Sequence, residues 1–172
     1  ADSGINFIRV DLPNKPLLNI QSMDLGASGC ERSERAERRT MLSFGPLQIQ
    51  TTEHLLAALA GLAIDNIVIE LDNVELPGLD GSAKGFVDAL RKAQVVEQAA
   101  ARKILEVNSP VWCSDKGALL AVLPDEEFKV SYTFSYPGIG TQFFTSVVNE
   151  DVFENEIAPA RTFCFEAEAL EL

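Results

Sequence analysis

Between Thr51 and Leu71 the hydrophobic pattern of this chain switches from helical to extended within a few residues. No other feature restricts its fold as much. Leu55, Leu59 and Leu62 recur at helical spacing within Thr51-Thr52-Glu53-His54-Leu55-Leu56-Ala57-Ala58-Leu59-Ala60-Gly61-Leu62, which predicts a helix over 51–61. A threonine is expected to cap its start, Glu53 suits the positive end of the helix dipole, and Gly61 suits the exit. The β-branched run Asn66-Ile67-Val68-Ile69-Glu70 follows and predicts a buried strand over 65–71.

The flanks extend this alternation. Ile5 to Asp11 sets Ile5, Phe7 and Arg9 against Asn6, Ile8 and Val10 ahead of Pro13, and reads as a strand. Residues 31–39, rich in Glu and Arg, read as a solvated loop or short helix. The segments 40–44 and 47–50 read as strands joined by a Gly45-Pro46 turn. Pro77 to Ser82 is turn-rich, and 83–98 predicts a second helix with Phe86, Val87 and Leu90 on one face. In the Asp80-Gly81-Ser82 turn, Gly81 is expected to take an unusual backbone angle and Asp80 or Ser82 to cap that helix. A boundary is expected at 99–102, dividing the chain into residues 1–98 and 99–172. Beyond it, strands are expected at 103–107, 118–123, 128–136 and 142–147, with Asp125 and Glu126 in a turn, and a helix from Glu166.

Composition limits the function. With 14 Lys and Arg against 26 Asp and Glu, the formal net charge is -12, which disfavours a nucleic-acid partner because phosphate backbones are repelled. Cys30, Cys113 and Cys164 lie far apart, which argues against a zinc ribbon or a disulfide framework and points to reduced thiols in a cytosol. No apolar run approaches the roughly 20 residues of a transmembrane helix, and no signal peptide is visible. Both ends read as cut.

The chemistry concentrates at Glu53-His54. His54 is the only histidine of the chain. A lone histidine near a helix start is ordinarily structural or solvated. Consecutive helical residues point about 100° apart, so Glu53 and His54 cannot share a metal in the manner of His-Glu-x-x-His. In a first turn, however, both can border one opening. One is then free to bind a metal while the other handles a proton, as metal-assisted hydrolysis requires.

Read together, these segments resemble a known family. Thr51 to Leu62 is followed by Ile64-Asp65-Asn66, then by Glu75-Leu76-Pro77-Gly78-Leu79-Asp80-Gly81-Ser82-Ala83 with Phe86-Val87 beyond. Arg39-Thr40-Met41-Leu42 lies upstream, Ala160-Arg161-Thr162-Phe163-Cys164-Phe165 downstream, and Gly4 to Asp11 fits an early strand. In this order the motifs closely resemble the UDP-3-O-acyl-N-acetylglucosamine deacetylases, zinc hydrolases of lipid A synthesis. The likeness runs along nearly the whole chain.

The resemblance implies an α+β fold of two similar domains, each a mainly antiparallel sheet with paired helices. The helices pack between the sheets, and the second domain is incomplete here. It implies a Zn2+ cofactor held by two histidines and an aspartate, of which His54 would be one, with Glu53 as the general base. Thr162 would stand near the developing oxyanion. Phe163 would line the pocket, and Met41 and Leu42 the passage for the acyl chain. The substrate would be an acylated UDP-sugar and the setting cytoplasmic.

Read on their own, Thr162 is equally a strand threonine, and Phe163, Met41 and Leu42 are core residues. The family's other two zinc ligands, in a His-x-x-x-Asp segment, and its acid histidine are expected beyond Leu172. An early Gly-x-Gly-Leu-His segment is expected before Ala1. This chain alone is therefore expected to be inactive. Cys164 stands where a glycine is expected. The alternatives are a fold-sharing protein that has lost its metal site, an assembly module, or a different hydrolase sharing only the Glu-His helix. The oligomeric state is not legible.

Overall fold

Phe7, wholly buried, marks the centre of the first sheet. The computed structural model describes residues 3–22, 39–115 and 117–164. The expectations for 31–38 and for a helix from Glu166, as well as Cys30, lie outside the described residues. The architecture is α+β. Strand β1 (Ile5–Arg9) pairs antiparallel with β2 (Leu17–Asn19) and parallel with β5 (Ile67–Leu71), giving the order β2-β1-β5. A 3-10 turn, Ile20–Ser22, follows β2. Strands β3 (Leu42–Phe44) and β4 (Leu47–Ile49) form the expected hairpin, in which Gly45 takes a positive φ of 55°.

Helix α1 (Glu53–Gly61) is shared between two apolar clusters. Leu55 and Leu59 pack with Phe7, Leu18, Ile49 and Leu71, while Ala58 and Leu62 pack with Ala83, Val87, Phe153 and Ala158. Burying a leucine such as Leu59 contributes about 1.5–3 kcal/mol. Its exit is a Schellman arrangement: Ala63, at φ 53°, donates to the Ala60 carbonyl and Ile64 to that of Leu59. The left-handed position thus falls on Ala63 and not on Gly61. Gly61 has another role: a Cβ there would lie 2.1 Å from a ring carbon of Phe153, so the bare backbone seats that ring.

Three sequence expectations change. Strand β5 is only half buried: Leu71 is inside, but Val68 is 56% exposed, because alternate residues of a strand face opposite sides. Helix α2 (Lys84–Ala93) stops before 98, at Gln94, whose φ of 65° cannot continue a helix. The segment 103–107 forms no strand. Among the described residues no strand is paired with it, and Leu105 is 91% exposed.

The described residues that follow form two separate antiparallel ribbons, β6 (Val111–Asp115) with β7 (Ala118–Val122) and β8 (Lys129–Tyr136) with β9 (Gly140–Val147). Strand β6 went unforeseen. So did a short helix, α3 (Glu150–Val152), which runs on as a π turn over Phe153–Ile157. The Asn149 side chain accepts from the Val152 amide and caps that start. Arg91 of α2 forms ion pairs with Glu150 and Glu154, tying the two helices at the surface.

Candidate active site at the start of helix α1

Glu53 and His54 occupy the first turn of α1, both half-buried. The turn is fastened to the segment that precedes β3. Thr40 donates its amide to Glu53 Oε2 at 2.9 Å, and its carbonyl accepts both the amide and the hydroxyl of Thr52, each at 3.2 Å. Thr52 is wholly buried and stands at the helix start, but its hydroxyl is spent on Thr40 and does not cap the helix. The capping expected of a threonine is therefore replaced by a long-range tie. The tie brings Met41 and Leu42 next to the Glu53 turn in the chain's path. Met41 is buried and Leu42 packs against the cluster of Phe7 and Leu59.

Just before this turn, Gln50 forms an isolated parallel bridge with Glu75. Thr51 lies in the left-handed region at φ 57°, and its hydroxyl donates to Glu75 Oε1 at 2.5 Å. Neither feature has a signal in the sequence, because a β-branched residue is a poor candidate for that conformation.

Thr162 and Phe163 have other partners. Thr162 donates its amide to the Gly81 carbonyl at 2.9 Å, with its hydroxyl 3.4 Å from the same oxygen. Gly81, at φ 79°, shows the backbone angle expected of it. Phe163, 62% exposed, meets Phe134 edge-on with ring centroids 5.2 Å apart. The structure thus joins Thr52 and Glu53 to Thr40, and joins Thr162 to Gly81 of the Asp80–Ser82 loop.

That loop is internally fixed. Ser82 donates its amide and hydroxyl to Asp80 Oδ1 and accepts from the Lys84 amide, which satisfies the start of α2. The bonds from the Ser82 side chain, opposed by some desolvation and aided by the Ser82 amide and the charge of Arg161, hold the Asp80 carboxyl below the usual carboxylate range.

Between α1 and the β8–β9 ribbon lies a cavity of about 1110 Å³, lined by Ala57, Ala60 and Gly61 on one side and Val130, Tyr132 and Phe144 on the other. The small residues of α1 leave this space open. Glu53 and His54 do not line it.

As a metal centre, the donor set is partial. His54 is the only imidazole of the chain, and among the described residues no group of three His, Cys, Asp or Glu side chains could hold a metal ion. A catalytic zinc ordinarily takes three protein ligands. The residues described therefore do not make up a zinc site by themselves.

Comparison with known proteins decides the relationship. The family model for UDP-3-O-acyl N-acetylglycosamine deacetylase matches residues 1–172.

The chain belongs to this deacetylase family.

It is 39% identical over 168 residues to the UDP-3-O-acyl-N-acetylglucosamine deacetylase of Anaeromyxobacter sp. (strain Fw109-5), covering 96% of this chain and 52% of that protein. The deacetylase of Nostoc sp. (strain PCC 7120 / SAG 25.82 / UTEX 2576) is 38% identical over 170 residues, covering 95% and 58%. That of Chlamydia pneumoniae is 43% identical over 129 residues, covering 73% and 46%. The chain spans about half the length of the curated relatives it matches. Among the described residues, no helix is long and apolar enough to cross a membrane.

Proposed function

We propose that this chain forms part of a zinc-dependent UDP-3-O-acyl-N-acetylglucosamine deacetylase acting in lipid A synthesis. The reaction removes acetate from the 2-amino group of the glucosamine and leaves a free amine. One observation carries the reading. Glu53 and His54 stand side by side in a helix turn pinned by Thr40, in a chain matched by this family along its whole length.

In this reading Glu53 is the general base. Its carboxylate takes a proton from the water that attacks the acetyl carbonyl, a step that geometry of this kind accelerates by about 10²–10⁴-fold. The Thr40 amide fixes one carboxylate oxygen and so sets the direction of the other. Thr162, held through its amide by the Gly81 carbonyl, serves the developing oxyanion by turning its hydroxyl away from its long 3.4 Å contact with that carbonyl. Met41, Leu42 and Phe163 are proposed to border the acyl chain, Met41 and Leu42 from the edge of the core. Phe163 supports this best, because its ring is largely exposed while braced by Phe134.

His54 would supply one imidazole nitrogen toward a zinc ion. The described residues hold one such donor and no cluster of three, so these 172 residues alone are proposed to bind no catalytic zinc and to be inactive by themselves. The setting proposed is cytoplasmic, which suits the free, exposed thiols of Cys113 and Cys164.

The test is acetate release from UDP-3-O-acyl-N-acetylglucosamine by the protein expressed from its entire coding region. Turnover in that protein, lost in its Glu53→Ala variant, supports the reading. Absence of turnover with zinc supplied, or undiminished turnover in Glu53→Ala, sinks it.

A further inference from the structure

We infer that Glu75 is a positioning residue for the Glu53-His54 turn, its carboxylate holding Thr51 in the left-handed conformation from which α1 departs. This rests on the functional reading above, which makes the orientation of that turn matter.

The first support is the backbone of Thr51. A threonine at φ 57° is an outlier, because its branched Cβ crowds the carbonyl that follows. Such a conformation persists only where the surroundings over-determine it. The second is the restraint itself. The Thr51 hydroxyl meets Glu75 Oε1 at 2.5 Å, the short range of a hydroxyl donating to a carboxylate.

The third is that Glu75 is itself anchored. Gln50 donates to the Val74 carbonyl at 2.9 Å, and Leu76 donates to the Gln50 carbonyl at 3.1 Å, which brackets Glu75 beside Thr51. Leu76 is buried in the core cluster, and Arg39 holds both the Glu75 carboxylate at 3.3 Å and the Gln50 side chain at 3.0 Å. A half-exposed carboxylate gripped from several sides thus acts on one strained residue two positions ahead of Glu53. Without it, Thr51 relaxes to negative φ and the chain enters α1 at another angle. A misplacement of about 1 Å at a reacting group costs on the order of 10²-fold in rate.

The experiment is a double-mutant cycle in the protein expressed from its entire coding region. Glu75→Ala is made in the parent and in Thr51→Gly, since glycine takes the left-handed region without strain. In the parent, Glu75→Ala is expected to lower kcat by about ten- to hundredfold and to leave KM within about threefold. In the Thr51→Gly background the same change is expected to cost less than about threefold. Glu75→Gln keeps an oxygen acceptor for the Thr51 hydroxyl and is expected to recover most of the lost kcat.

An unchanged kcat in Glu75→Ala overturns the inference. So does an equal loss in both backgrounds, or a Glu75→Gln variant as impaired as Glu75→Ala. If Glu75→Ala fails to fold in the parent, a folded and active Thr51→Gly/Glu75→Ala supports the inference, and one that also fails to fold overturns it. Glu53→Ala, assayed alongside, separates the two claims. If Glu53→Ala abolishes turnover while Glu75→Ala leaves kcat unchanged, only the positioning role falls. If Glu53→Ala retains turnover, the functional reading itself falls.

Discussion

The amide of Thr40 donates to the carboxylate of Glu53 across 2.9 Å, so the residue that precedes the Met41-Leu42 pair is joined to the first turn of α1. Because the Thr40 carbonyl also takes the amide and hydroxyl of Thr52, both polar backbone groups of Thr40 are committed to that turn. The direction of the Glu53 side chain is thereby set by backbone and does not depend on a neighbouring flexible side chain.

Glu53→Gln separates this structural bond from proton transfer. The amide oxygen of glutamine still accepts from Thr40, but glutamine takes up no proton. Turnover is expected to fall by about 10²–10⁴-fold with the thermal midpoint close to that of the parent. Glu53→Ala is expected to lose a similar factor and to melt earlier as well. Steady-state kinetics paired with a circular-dichroism melt reads both. A Gln variant with near-normal turnover counts against Glu53 as base.

His54→Ala is expected to abolish zinc retention by the protein expressed from its entire coding region, whereas Glu53→Ala keeps its zinc while losing turnover. Metal analysis after gel filtration gives the answer without any activity assay. Equal zinc content in parent and His54→Ala removes His54 from the ligand set.

At Gly61 the steric argument is direct, since a methyl group would enter the space of the Phe153 ring. Gly61→Ala is expected to destabilise by about 1–3 kcal/mol through overpacking. Phe153→Ala is expected to cost about 3–5 kcal/mol through the cavity it leaves. The two share one space, so the double variant should cost clearly less than their sum. Urea denaturation of the four proteins measures the coupling, and strict additivity would show that the ring does not rest on Gly61 in solution.

Acid stability carries a sign fixed by Asp80. Its carboxyl is held below its ordinary value, chiefly by the Ser82 side chain, so the unfolded chain takes up the proton first as pH falls. The stabilisation is fully present above the unfolded value of about 3.9 and is lost as pH drops through the lower folded one. Asp80→Asn should therefore be less stable than the parent at neutral pH, with the gap closing as pH falls below about 4. A gap that stays constant from neutral to acid pH would exclude this contribution.

Much of this arrangement is legible in the residues themselves. The leucine spacing of 55–62 yields α1, and Gly45-Pro46 yields the β3–β4 hairpin. The Asp80-Gly81-Ser82 turn behaves as its composition dictates, with a positive φ at Gly81 and Ser82 receiving the Lys84 amide. What could not be read depends on contacts between residues distant in the chain. Lys103 to Val107 carries apolar residues, but local pattern cannot supply the neighbouring strand that a ladder needs, and among the described residues no strand forms there. The early end of α2 follows from Gln94, which carries no breaker signal. Gly61 resembles a helix exit until Phe153 is seen against it. At the site, Glu53 and His54 announce themselves by type, whereas the Thr40 tie depends on a segment twelve or more residues upstream and the Thr51–Glu75 bond exists only once Gln50 has been laid beside residues 74–76.

Helix α1 belongs to two cores at once: its leucines at 55 and 59 lean on the sheet, and Ala58 and Leu62 on Phe153 and Ala158. A segment with such divided allegiance keeps no private reserve of rigidity. Loosening of either core reaches the same turn, so a change far downstream in the chain registers at Glu53 as readily as one in the first sheet. Slow amide exchange along α1 would then report on the health of both cores together.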